Sequence, residues 1–219
     1  MNTATLASLQ ESLAEIYDLP ATPDIAPFLL TDRASLDGVG AARTSDEQLI
    51  VAVDGDTLSM ALYIDAQVLE RLARRDPYDS LTHENLADYL TVAEGVSHFV
   101  YVAWNAGFDK PVTLLELELQ AEIDKFVLGI WLLRAQGCER VPRELHRAMF
   151  QRTRVDPVAA GDRAGLYHTA SCYAARFCSR VAARLARSTR GSTRELLTEL
   201  RRFYRWGNAH KMRHIERFA

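Results

Sequence analysis

Cysteine is scarce in this chain and follows no pairing pattern. Three cysteines, Cys138, Cys172 and Cys178, occur in 219 residues, none in a Cys-x-x-Cys pair. An odd number of dispersed thiols in a chain long enough to build its own core argues against a disulfide framework and for reduced thiols in the cytoplasm. A secretory leader is not expected either, because MNTATLASLQESLAEIYDLP has no basic start and no unbroken apolar run. No stretch reaches the ~18 uninterrupted apolar residues of a membrane span, so no membrane partner is expected. Phosphate-cradling glycine patterns are missing. There is no P-loop and no Gly-x-Ser-x-Gly, and Gly38-Val39-Gly40 lacks a third glycine and a preceding strand, so it reads as a loop. His-Glu-x-x-His is absent, and so is Glu-x-x-His, the signature of a ferritin-like di-iron bundle. No nucleic-acid-binding motif is present, no cofactor is implied, and the absence of a catalytic motif argues against an enzyme.

What is present is ordinary in bulk and uneven in distribution. Hydrophobic residues make up 48% and charged residues 25%, the profile of a globular protein that can bury a sizeable core without staples. The net charge of −3 conceals a division. Residues 1–138 hold 8 Lys+Arg and 22 Asp+Glu, a sum of −14, while residues 139–219 hold 18 and 7, a sum of +11. Such asymmetry means either that the two halves face and neutralise each other or that the basic half meets an acidic partner.

The periodicities predict an α+β, mainly α fold. A small N-terminal β-hairpin element should pack on a bundle of about five to seven helices, all within a single domain over 1–219. Its subregions are 1–78 and 79–219. Leu6, Leu9, Leu13 and Ile16 mark a first helix closed by Pro20. EQLIVAVDGDTLSMALYI, 47–64, reads as a hairpin turning at Asp54-Gly55. Asp65 reads as the N-cap of a short helix through Arg75. Helices are then expected at about 83–105, at about 114–136, from Pro142 to Phe150, from Asp156-Pro157 to about 188, and after a Ser192-to-Glu195 capping box, with a split at Gly207-Asn208.

TLLELELQAEIDKF, 113–126, overlays strand-like alternation on helical spacing. Thr113 three residues before Glu116 forms a capping box, so the helix wins. Glu118, Glu122 and Lys125 then share a flank, with Glu122 and Lys125 as an i,i+3 pair, and Asp124 projects elsewhere. In the preceding helix Glu94 and His98 stand one turn apart. That spacing suits a hydrogen-bonded pair on a polar outer face, or, with Glu118 or Glu122 approaching from the next helix, a general base or metal set. The plain expectation is a solvated face, and Glu94, His98, Glu118 and Glu122 are the weak catalytic or metal candidates. His210 and His214, also at i,i+4, are crowded by Lys211 and Arg213, and Cys172 and Cys178 read as small buried hydrophobes.

Arginine supplies the strongest linear pattern. Arg176, Arg180, Arg184, Arg187 and Arg190 recur on one helical face, followed by Arg201, Arg202, Arg205, Lys211 and Arg213 interleaved with Phe203, Tyr204 and Trp206. The expected pairing for this stripe is with acids of residues 79–124. The functional expectation is a cytoplasmic interaction or regulatory protein. Arg176, Arg180, Arg184, Arg187, Arg202, Tyr204 and Trp206 would bind an acidic protein partner or a second copy. A nucleic-acid surface made of the same residues is the first alternative. A metal-dependent enzyme between the two central helices is the second.

Overall fold

The computed structural model describes residues 4–20, 22–37, 45–138, 143–150, 164–187 and 190–217. Among them are eight α-helices and a three-stranded sheet, so the fold is α+β and mainly α. Pro142, Asp156-Pro157, Gly38-Val39-Gly40 and the side chains of Arg190 and Ser192 lie outside the described residues.

Helix α1 (Ala4–Tyr17) buries Leu6, Leu9, Leu13 and Ile16 completely, each worth ~1.5–3 kcal/mol on transfer from water. It stops where Asp18 turns to φ 53, ahead of Pro20. Strand β1 is the two residues Leu29–Leu30. Strands β2 (Glu47–Asp54) and β3 (Thr57–Ile64) form the expected hairpin, paired from Glu47↔Ile64 to Asp54↔Thr57. That register makes Gly55-Asp56 the two central turn residues, one place beyond Asp54-Gly55, and gives Gly55 the positive φ of 54. β1 joins β3 in parallel, so the sheet order is β1-β3-β2, with β2 at an edge.

Asp65 caps α2 (Ala66–Arg74) as expected, accepting from the Gln67 amide. Six helices follow: α3 (Leu86–Ala106), α4 (Leu114–Ala135), α5 (Arg143–Phe150), α6 (Ala164–Ala186), α7 (Arg190–Arg205) and α8 (Asn208–Glu216). The split at Gly207-Asn208 is present, but α7 begins at Arg190, upstream of the Ser192-to-Glu195 pattern. One apolar cluster runs from Leu6 of α1 through Val96, Phe126, Phe177 and Phe203 to Ile215 of α8.

Helix α3 is the hub. It contacts α1, α2, α4, β2 and β3, so residues on nearly every side of it are buried, including His98, Tyr101 and Asn105. Its approach to the hairpin depends on Gly95. A Cβ built there would lie 2.8 Å from Glu47 Cγ and 2.9 Å from Leu62 Cδ1, closer than side-chain atoms approach without displacement. Glycine thus lets the start of β2 sit against the middle of α3, directly beside Glu94 and His98.

Candidate functional site

The polar outer face expected on α3 is an inner one. The hairpin covers it from one side and α4 from another, and His98 retains 6% exposure. Glu94 and His98, one turn apart on α3, meet Glu118, Glu122 and Lys125 of α4 and Glu47 from the first residue of β2. Sequence spacing had grouped Glu94, His98, Glu118 and Glu122. It missed Glu47, because nothing in the linear pattern says which strand residue lands on a glycine forty-eight positions later.

The six side chains form two sandwiches, each a cation between two carboxylates. His98 Nδ1 lies 3.3 Å from Glu47 Oε1, and His98 Nε2 lies 3.6 Å from Glu118 Oε2. Lys125 Nζ donates to Glu94 Oε2 and to Glu122 Oε1, both at 2.9 Å. The expected Glu122–Lys125 pair is therefore present, and Glu94 gives its carboxylate to Lys125 in place of the expected Glu94–His98 hydrogen bond. Ligand atoms of Glu94, His98 and Glu118 all lie within 4.8 Å of one another.

The charge does not balance. Four carboxylates against one imidazolium and one ammonium leave a formal −2 in a site where His98, Glu47, Glu118 and Lys125 keep side-chain exposures of 7–10%. Burial at this level makes uncompensated charge expensive. The proton affinities follow. Burial pushes the Glu47 and Glu122 carboxyls up, and the facing cations only partly offset it. Glu94 is held below the usual carboxylate range because Lys125 and His98 together outweigh burial. Burial would lower His98 and Lys125, but Glu47 and Glu118 raise the imidazole well above its ordinary value, and Glu94 and Glu122 raise the ammonium. His98 Nε2 is buried without a hydrogen-bond partner, since 3.6 Å to Glu118 is too long for one.

A second buried polar network lies further along α3 and α4. Lys211 of α8, counted in the sequence among the surface cations, is fully buried. Its amine donates to Tyr101 Oη (2.7 Å) and Gln120 Oε1 (2.6 Å) and lies 4.4 Å from the Tyr101 ring centre. Gln120 Nε2 passes the chain on to Asp124 Oδ1 at 2.7 Å, and Ser97 donates to Asp124 Oδ2 at 2.6 Å. Asp124, which the helical wheel sends elsewhere, is thus a core residue. Thr113 accepts from the Glu116 amide as a cap, but the Glu116 carboxylate does not complete the box. It accepts instead from the Tyr101 hydroxyl, from Lys110 and from the Asn208 amide at the start of α8. Burial lowers Lys211 to about 7 and raises Asp124 to about 6.

The arginine stripe is arranged differently from expectation. Arg180 and Arg184 both bind Glu199 of α7, which also faces His214, so they pair inside the basic half and not with acids of residues 79–124. Arg201 and Arg205 donate to the Glu15, Ile16, Tyr17 and Asp18 carbonyls at the end of α1, where a helix presents unsatisfied acceptors and partial negative charge. Arg176, Arg187 and Arg202 are exposed, with Arg176 over the Tyr173 ring and Arg187 donating to the Ala183 carbonyl. Tyr204 is fully buried, stacked on Tyr17 at 4.2 Å, and therefore contributes nothing to a surface. Trp206 is half-buried and stacks on His210. Cys178 is buried, and burial pushes its thiol up. Cys172 is exposed, contrary to its reading as a core residue, and Cys138 is exposed too. Compared with protein families, with curated proteins and with solved structures, the chain matches none.

Proposed function

We propose that the chain binds a divalent transition-metal ion between α3 and α4, on Glu94, His98 and Glu118, with Glu47 beside them. The observation that carries this reading is a buried histidine whose Nε2 makes no hydrogen bond and faces Glu118, among four carboxylates and one ammonium; as a ligand the imidazole is neutral, so the ion would displace its Nε2 proton. An ion with ~2.1 Å bonds holds its ligand atoms ~3–4 Å apart, so the group needs to contract by less than ~2 Å. It would offset carboxylate charge that burial disfavours at Glu47 and Glu122. Mixed imidazole and carboxylate ligands suit zinc, manganese or ferrous iron. Three protein ligands leave room for water in the coordination sphere, the arrangement of a metal that does chemistry. The test is elemental analysis of untagged protein loaded with each ion in turn. One ion per chain, lost in a His98→Ala variant that keeps its circular dichroism, supports the reading. Wild-type protein that retains none of the three ions overturns it.

A second reading rests on the exposed guanidinium groups of Arg176, Arg187 and Arg202. They would form a surface for an acidic protein partner or a second copy of the chain, with nucleic acid as the alternative ligand. Light scattering of wild type against Arg176→Glu/Arg202→Glu reads self-association. A salt titration of binding to generic duplex reads the alternative, since phosphate contacts weaken steeply with salt. Monomeric wild type without duplex affinity removes the self-association and nucleic-acid forms of this reading.

A further inference from the structure

We propose that Lys125 occupies a second cation seat in this site, so that removing its ammonium opens the site to one more divalent ion. The inference builds on the metal reading above but is tested separately from it. Its basis is the position of Lys125 Nζ, 2.9 Å from Glu94 Oε2 and 2.9 Å from Glu122 Oε1. Two carboxylates converging on one point from neighbouring helices make the geometry of a cation site, and here the cation is covalently attached to the chain.

Glu94 is the shared member. One of its oxygens holds Lys125, and a ligand atom of the same residue lies within 4.8 Å of the His98 and Glu118 ligand atoms. A carboxylate placed this way can link two cations, as in paired-metal sites whose ions stand ~3.5–4 Å apart. Lys125 would therefore keep the native site at a single ion. The side of the site nearest solvent is also the Lys125 side. Glu94 and Glu122 keep 29% and 20% of their side-chain surface, against 9% for Glu118. An added ion has the shortest way in where the ammonium now sits. Arginine could fill the seat in charge, whereas methionine copies the length of the lysine stem without it.

The experiment is metal counting on the untagged full chain, stripped with chelator and reloaded with manganese or zinc. The proteins are wild type, Lys125→Met and Lys125→Arg. The expected result is one more ion per chain in Lys125→Met than in wild type, and no increase in Lys125→Arg. Equal counts in wild type and a folded Lys125→Met overturn the inference while leaving the metal reading intact. A wild type without metal beside a Lys125→Met that binds one ion sinks the metal reading and keeps the inference. No metal in either protein sinks both. Because methionine leaves Glu94 and Glu122 uncompensated, the variant could lose its fold when metal-free. Refolding it with and without the ion resolves that case: folding restored only by metal supports the seat, and failure at every metal concentration counts against it.

Discussion

Replacing Lys211 by methionine should alter the pH dependence of stability in a way no surface lysine could. The amine is fully buried among Tyr101, Gln120 and Phe203, with Glu116, Asp124 and Lys110 as its charged neighbours. Burial holds its folded pKa at about 7 against 10.5 when the chain is unfolded. Between those values the unfolded chain binds the extra proton, so raising the pH stabilises the fold, and lowering it toward 7 removes that stability. From about pH 7 to about pH 9 the linkage contributes roughly 2 kcal/mol. That corresponds to a Tm change of about 4–8 °C for a chain of this size. His98 acts in the opposite direction over part of this range. Its folded pKa is raised, so its contribution is complete below about 6.5 and is lost as the pH climbs toward the folded value. The readout is therefore the difference between wild type and Lys211→Met, measured by urea denaturation at each pH. Wild type should gain about 2 kcal/mol on the variant between the two pH values. A difference that stays flat would mean that Glu116 and Asp124 keep the ammonium charged, and would refute the reasoning.

Asp124→Asn tests the other end of the same network. With its folded pKa raised to about 6 from 3.8, the acid stabilises the fold only at low pH. Wild type should lose roughly 2 kcal/mol relative to the variant as pH rises from about 4 to about 6, read by denaturant midpoints. Gly95→Ala should destabilise by ~1–3 kcal/mol, because its methyl carbon would sit against Glu47 Cγ and Leu62 Cδ1. The cost should be smaller in a Glu47→Ala background, and equal costs would show that Glu47 is not the obstacle. A chromogenic disulfide reagent should titrate Cys138 and Cys172 in the folded protein and Cys178 only after unfolding. Rapid reaction of all three thiols would contradict the burial of Cys178.

The elements that local rules decide were legible in the sequence. A cap side chain, a two-residue turn and a proline or glycine stop act within four or five positions. Asp65, Thr113 and Gly207 therefore end up close to where the pattern puts them. The polar groups on α3 were legible as a set but not in their environment. Glu94 and His98 stand one helical turn apart, and that reads as an outer face if one partner surface is assumed. Helix α3 has several, supplied by α1, the hairpin and α4, and nothing in a helical wheel counts neighbours. Glu47 and Lys211 were illegible for the same reason. Each reaches its partners across 51 and 91 or more positions, and a charged residue looks like a surface residue until its counter-charges are placed.

Charge segregation along the chain also has a different physical meaning from simple neutralisation of one half by the other. Arg33 with Asp46 and Asp65, Arg71 with Asp88, Arg75 with Glu84, and Lys125 with Glu94 and Glu122 all pair within residues 1–138. Glu199 gathers Arg180, Arg184 and His214 within the basic half. The halves are joined by less charge-dependent means: arginines on the carbonyl end of α1, the Asn208 amide on Glu116, and Lys211 on neutral oxygens of Tyr101 and Gln120. Contacts to backbone carbonyls and neutral side chains survive salt better than exposed ion pairs, which are screened within about 8 Å at physiological ionic strength. Each half also keeps an excess of its own sign, because local pairing cannot exhaust it. In the acidic half some of that excess is buried at Glu118 and half-buried at Glu47, Glu94 and Glu122, where water compensates it only in part. A divalent cation would offset that charge directly, so an ion bound at this site should stabilise the fold.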